Sequence, residues 1–382
     1  MEQNDTTDNS SPFEILASFP FRLSQSQCVV YNNEILVCGG YQNNNCYSYH
    51  TQKNQYKFIC PYPKDITLDG HSVVKRVDNE NPNNITLLSF GGLYKHTLIM
   101  KYTSVWNEKG DESENAKTKP LNRWVPLTNS QNNLICIGTN GGDYEGVRAV
   151  IGGNANHLLF ITYSPKNIDV FNLATCRYVN RCHLPIDDSF NINFHCFVSR
   201  TQNGLAMTKA NENKKHIEML LFCKNIGLSI KYDEDKAAFQ FEKLLVCTTI
   251  RPLNYYAYVC IDNIILLFGG CNDNLWVPSK DVYKYAIDQK QWKKFEYTLP
   301  VPLFGCAGIL NTDDTSVHIL GGRDDKGNRI STHIKTNVNE WTKEETEKEK
   351  QWLREEEQKI EIEEIKTELE NVKQDFDIKR LK

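Results

Sequence analysis

One pattern recurs along this chain and leaves few folds open. A short apolar run leads into a glycine pair, and two aromatics spaced seven apart follow. It is plainest over residues 263–292, where Ile264 to Phe268 run into Gly269-Gly270, and Tyr285 and Trp292 come later. Apolar runs this short, bounded by glycine, suit buried strands and are too short for buried helices. Paired glycines let the backbone turn sharply or let a neighbouring strand approach closely. Bulky aromatics fill the gap between stacked sheets.

Used as a ruler, the pattern counts six copies. Gly39-Gly40 precedes Tyr49 and Tyr56, and Gly91-Gly92 precedes Tyr102 and, after an insertion, Trp124. Gly321-Gly322 precedes Ile334 and Trp341. Two copies lose the glycines but keep the spacing: Thr162-Tyr163 with Phe171 and Tyr178, and Lys224-Asn225 with Tyr232 and Phe239. The second position of the pair falls at 40, 92, 163, 225, 270 and 322. A period near fifty with this signature is similar to the kelch repeat, in which each repeat is one four-stranded propeller blade. The resemblance covers roughly residues 12–342. It implies an all-β, six-bladed kelch-type β-propeller, with blades near 26–62, 71–128, 146–182, 193–246, 255–298 and 303–342.

The ends of the chain fit that reading. Residues 1–11 are polar and read as a disordered lead. Phe13 to Ala17 then alternate as an outer strand does, although no blade precedes them. The last repeat lacks an outer strand after Trp341. Residues 13–17 are therefore expected to complete the last blade and close the ring, removing two exposed sheet edges. Polar insertions over 107–120 and 208–216 read as loops, the first of them mobile. Residues 134–137 are apolar enough to pack on the ring or add a strand.

From 342 onward the composition changes: no glycine or proline, ten Lys/Arg and fourteen Asp/Glu. Ile362, Ile365, Leu369, Val372 and Phe376 are spaced 3, 4, 3, 4, the seam of a short coiled coil. Residues 343–382 are expected to form one helix, either docked on the propeller, solvated, or joined to a second copy or a partner.

Composition narrows the function. The net charge is −4 and equals that of the 342–382 segment, so the body is neutral and has no field to draw nucleic acid or an anionic membrane. No stretch approaches eighteen apolar residues, so no membrane span is expected. The 13 cysteines contain no C-x-x-C, and with no secretory run they read as reduced, buried thiols of a cytoplasmic protein. Phosphate-loop, zincin and nucleophile-elbow motifs are missing from the sequence. The glycine-rich 139–146 stretch lacks a strand-to-helix context and reads as a loop, as does 323–328. His195 and His318 lie in strand patterns and read as core. No catalytic residue, cofactor or metal site is assigned.

Binding is the favoured class. In the family that the chain resembles, loops between second and third strands, with the connections between blades, build the usual ligand face. Projected here, it carries Tyr41, Tyr94, Tyr255, Tyr256, Trp276, Phe304, Arg251, Arg323 and Arg329, residue types that anchor protein interfaces. The resemblance implies a protein-interaction scaffold or adaptor whose partner is a ubiquitin-ligase subunit or a cytoskeletal protein, with no BTB or F-box module in the sequence. The alternative it implies is a propeller enzyme of the sugar epimerase or oxidase type, working at the central channel.

Overall fold

The computed structural model describes residues 11–77, 85–107, 122–138, 141–200, 216–272 and 275–380. The lead at 1–10 and most of the two insertions expected as loops lie outside them. The described residues form six four-stranded antiparallel sheets, a small three-stranded sheet and one long helix. Sheet 1 is Gln27–Tyr31, Glu34–Gly40, Asn43–His50 and Gln55–Pro61. Sheet 2 is His71–Val77, Ile85–Gly91, His96–Tyr102 and Val125–Pro126. Sheet 3 is Asp143–Gly152, Leu158–Ser164, Asn167–Asn172 and Arg177–His183. Sheet 4 is Cys196–Ser199, His216–Cys223, Ile226–Asp233 and Ala238–Lys243. Sheet 5 is Ala257–Ile261, Ile264–Phe268, Val282–Ala286 and Gln291–Lys294. Sheet 6 joins Ala307–Asn311, Ser316–Leu320 and His333–Asn337 to Phe13–Ile15 from the other end of the chain.

The seven-residue aromatic spacing is a hairpin register. Tyr49 lies opposite Tyr56, Phe171 opposite Tyr178, Tyr232 opposite Phe239, and Tyr285 opposite Trp292. Each pair sits across a third and fourth strand with ring centroids 4.8–5.1 Å apart. Trp341 departs from this pattern because the outer strand of sheet 6 comes from Phe13–Ile15. It sits on a short 3-10 turn, fully buried against Phe13, Phe268 and Phe295. Trp124 instead stacks on Tyr62, just past the last strand of sheet 1.

The core lies between sheets. Each of the six hydrophobic clusters joins one sheet to the next, and one of them (Phe19, Leu23, Ile35, Val37, Tyr49, Leu320) joins sheet 6 to sheet 1. First strands touch in the order of sheets 1, 2, 3, 4, 5, 6 and back to 1. Just before each first strand, or inside the register shift in that of sheet 3, stands a residue in left-handed backbone: Gln25, Gly70, Gly146, Phe194, Tyr255 and Gly305, with φ from +47° to +70°. They hydrogen-bond in series. Gly305 N–H donates to the Tyr255 carbonyl, Gln25 N–H to Gly305, Gly146 N–H to Gly70, and Phe194 N–H to Gly146. Gly70 N–H donates to the Gln25 side chain.

Residues 134–137 pack on the sheets and add no strand: Ile137 is buried, while Leu134 is exposed and forms only an isolated bridge to Thr128. Sheet 3 starts at Asp143, ahead of the expected 146, because a register shift between Asp143 and Arg148 lets the chain join early.

Candidate functional site

The connections between second and third strands, and those entering each first strand, gather on one face. Close approach there explains the glycine pairs. Gly269 has φ +67°, and a Cβ on it would lie 2.3 Å from the Leu303 carbonyl oxygen of the next sheet's entry. Gly321 has φ +59°, and a Cβ would lie 2.3 Å from Leu23. Where the glycines are lost, in sheets 3 and 4, the second strand runs on to Ser164 and Cys223 and turns in two residues.

Three arginines converge on this face. Arg323 and Arg329 place their guanidinium carbons 4.9 and 5.8 Å from the Tyr41 ring centroid. Arg329 also donates to the Tyr41 carbonyl at 2.9 Å. Arg22 joins them in lining a concavity of about 360 Å³ with Gly327 and Asn328. The arginines found within 4.0 Å of a carboxylate among the described residues are Arg181, Arg200 and Arg251, not these three. Asp324 is near in sequence, but its carboxylate accepts from the backbone of Lys326 and Asn328, folding the 324–328 loop on itself. Like charges gathered with no carboxylate this close repel, and an anion placed among them would relieve that repulsion.

An aromatic series adjoins the arginines. Trp276 is 64% exposed and its ring lies 6.4 Å from Phe304, whose backbone bridges Arg323. Phe304 meets Tyr255 at 6.4 Å, and Tyr255 stacks on Phe194 at 4.0 Å. Tyr256 is buried and donates to the Phe222 carbonyl, so it belongs to the core. Tyr94 is exposed on the turn after Gly92. Arg251 differs from expectation: both oxygens of Glu363 hold its guanidinium at 2.8 Å, so the chain's own helix occupies it. The sequence reading missed Arg22 and Phe194. Arg22 precedes the first repeat, and the antiparallel bridge from Leu23 to Ile330 carries it to the 323–329 loop.

That helix, α1 (Glu347–Arg380), docks along the outer edge of sheet 5. Lys293 and Glu349 form a buried ion pair at 2.7 Å. Thr248 donates its backbone N–H and hydroxyl to Glu356, and Trp352 packs on the core between sheets 4 and 5. Lys348 reaches Glu296 across the interface.

Toward the axis, titratable groups are buried. Burial holds His71 down to about 3 and His195 well below the usual imidazole value, and His195 shares a hydrogen bond with Thr162 at 2.6 Å. At the entry to first strands, the Asp69 and Glu145 carboxyls are both raised by burial, Glu145 further by the Asp69 charge. Among the described residues no three His, Cys, Asp or Glu side chains gather as a metal site, and no helix is long and apolar enough to cross a membrane.

Comparison with known proteins agrees with this architecture. A solved chain titled "Structure of YjhT" superposes on 85% of this chain and 97% of its own length, with a TM-score of 0.55 and 10% sequence identity. No curated protein matches. An all-β propeller built of four-stranded sheets is the class defined. The family model described as the kelch motif matches residues 252–296, which span sheet 5 and its entry. The chain therefore has a propeller fold and carries a kelch motif at residues 252–296.

Proposed function

We propose that this protein is an interaction scaffold. In this reading the six sheets are the blades of one closed propeller. The loop face binds a partner segment bearing carboxylates beside a bulky apolar side chain, and α1 is the tethering or dimerisation element. A ubiquitin-ligase subunit or a cytoskeletal protein is the partner class implied by the kelch resemblance. The observation that carries the reading is the gathering of Arg22, Arg323 and Arg329 beside Tyr41, with no carboxylate within 4.0 Å of them among the described residues, next to an exposed tryptophan. Trp276 adds to it: left-handed backbone (φ +52°) costs a side-chain-bearing residue about 1–2 kcal/mol, and here little burial compensates. Such strain concentrates at binding sites.

The test is affinity capture of partners followed by binding measurements with Trp276→Ala and with Arg323→Ala/Arg329→Ala. Each should weaken binding at least about tenfold, as anchors of this kind do, and leave the urea midpoint unchanged. Unchanged binding in both variants refutes the reading. A lowered midpoint with unchanged binding assigns Trp276 to the core.

One observation favours the enzyme alternative: Asp69 and Glu145, two carboxyls raised by burial, stand where the chain enters sheets 2 and 3, with the Asp69 charge acting on Glu145 and the Arg323 charge on Asp69. In that case Asp69→Asn abolishes turnover and spares partner capture.

A further inference from the structure

Past its first turns, α1 leaves an apolar stripe in water. Ile362, Ile365, Leu369 and Val372 are 52%, 50%, 58% and 61% exposed. The helix already has another side committed. Glu349, Glu356 and Glu363, seven residues apart, with Trp352, hold the propeller. At about 100° per residue the apolar stripe lies roughly 150° around the axis from this contact stripe. A second helix can therefore cover it without displacing the propeller.

Charge selects the occupant. With Ile362 and Leu369 as a positions and Ile365 and Val372 as d, the g positions are Glu361, Glu368 and Asp375, all acidic. The e positions are Lys366, Lys373 and Arg380, all basic. In a parallel, in-register pair each g residue meets the next e residue of the other helix. Glu361 then faces Lys366, Glu368 faces Lys373, and Asp375 faces Arg380, each twice by symmetry. An antiparallel pair sets g against g and e against e, acid on acid and base on base.

We propose that residues 361–380 of two copies pair as a parallel, in-register two-stranded coiled coil. The propellers lie on opposite outer sides of the pair, each presenting its own loop face. The proposal rests on reading α1 as the assembly element. The seam spans fewer than three heptads, about 30 Å at 1.5 Å per residue, so the dimer is weak and concentration-dependent.

Sedimentation of the full chain across a concentration series should show a monomer–dimer equilibrium. Glu361→Lys/Glu368→Lys turns four attractive pairs repulsive and should weaken association on the order of a hundredfold. Lys366→Glu/Lys373→Glu should do the same, and an equimolar mixture of the two variants should dimerise again. In a glutathione buffer Ile362→Cys should cross-link to itself above the wild-type background. A chain monomeric at every concentration overturns the proposal and the assembly reading of α1, and leaves the loop-face reading standing. A dimer indifferent to both charge swaps overturns the heptad argument. Cross-linking of Ile362→Cys with Phe376→Cys, without self-linking of Ile362→Cys, overturns the parallel orientation.

Discussion

Replacing Lys293 by methionine should release the first turns of α1 while the propeller stays folded. Lys293 and Glu349 are 4% and 5% exposed at their side chains, so neither charge has water to fall back on. The two are not equally protected. If Glu349 is neutralised, the Lys293 ammonium keeps Glu345 at 3.5 Å and the Phe295 ring at 4.6 Å. If Lys293 is removed, the Glu349 carboxylate keeps only two backbone donors, Glu296 N–H at 3.1 Å and Thr346 N–H at 3.3 Å. Breaking a buried pair from one side costs about 3–5 kcal/mol, because an uncompensated charge is left behind. Lys293→Met should fall in that range. Glu349→Gln, which keeps shape and most partners, should cost about 1–3 kcal/mol. The double substitution Lys293→Met/Glu349→Met should cost less than Lys293→Met alone. The loss is capped by the free energy that docks the helix, so it appears locally. Amide hydrogen exchange over residues 347–360 should speed up about a hundredfold or more in Lys293→Met. A urea titration at 222 nm, dominated by α1, should acquire an early transition. Wild-type exchange in Lys293→Met would refute the claim that this pair holds the helix.

Two further outcomes follow from other parts of the fold. Deleting residues 1–18 removes Phe13–Ile15 and the Phe13–Trp341 contact and leaves the His333–Asn337 edge unpaired; unfolding free energy should fall by about 3 kcal/mol or more, and an unchanged urea midpoint would contradict a ring closed by the N-terminal strand. Acid should also destabilise the fold: burial holds His71 at about 3 and His96 and His318 at about 4, below the usual 6.5. Below pH 6.5 the unfolded chain takes up protons that the folded chain refuses, so stability falls as pH drops from 6.5 toward 4, at up to about 1.4 kcal/mol per pH unit per histidine. The carboxyls of Asp69, Glu145 and Asp169, raised by burial, act in the opposite direction nearer the carboxylate range. Equal urea midpoints at pH 7 and pH 5 would rule the histidine term out.

Much of the architecture is legible because repeat spacing encodes pairing. Seven residues from Tyr285 to Trp292 are what a third strand, a tight turn and a fourth strand need to bring two rings into contact, and the same count works where the glycines are gone. The glycines record something else: whether the second strand ends beneath the next sheet's entry, as at Gly269, or runs on to a two-residue turn, as at Lys224. Their loss in sheets 3 and 4 changes a connection and leaves the sheets intact. The same limit explains Asp143. A register shift adds residues without altering the apolar pattern, so the early start of sheet 3 leaves no periodic mark.

The candidate site was legible in residue type and hidden in partnership. Arg323, Arg329 and Tyr41 were assigned to the loop face from their repeat positions, but Arg22 lies outside any repeat and meets them only because the N-terminal segment returns to sheet 6. Arg251 shows the converse. Its position in the repeat placed it with the other arginines, yet a glutamate 112 residues later takes its charge. In sequence, Glu349, Glu356 and Glu363 look like a solvated helix face, since nothing local marks them as contacts. Their spacing of seven acquires meaning only beside the apolar stripe with the same period. A helix free in water has no reason to keep two such stripes on opposite sides. One that touches its own propeller on one side and another chain on the other needs both.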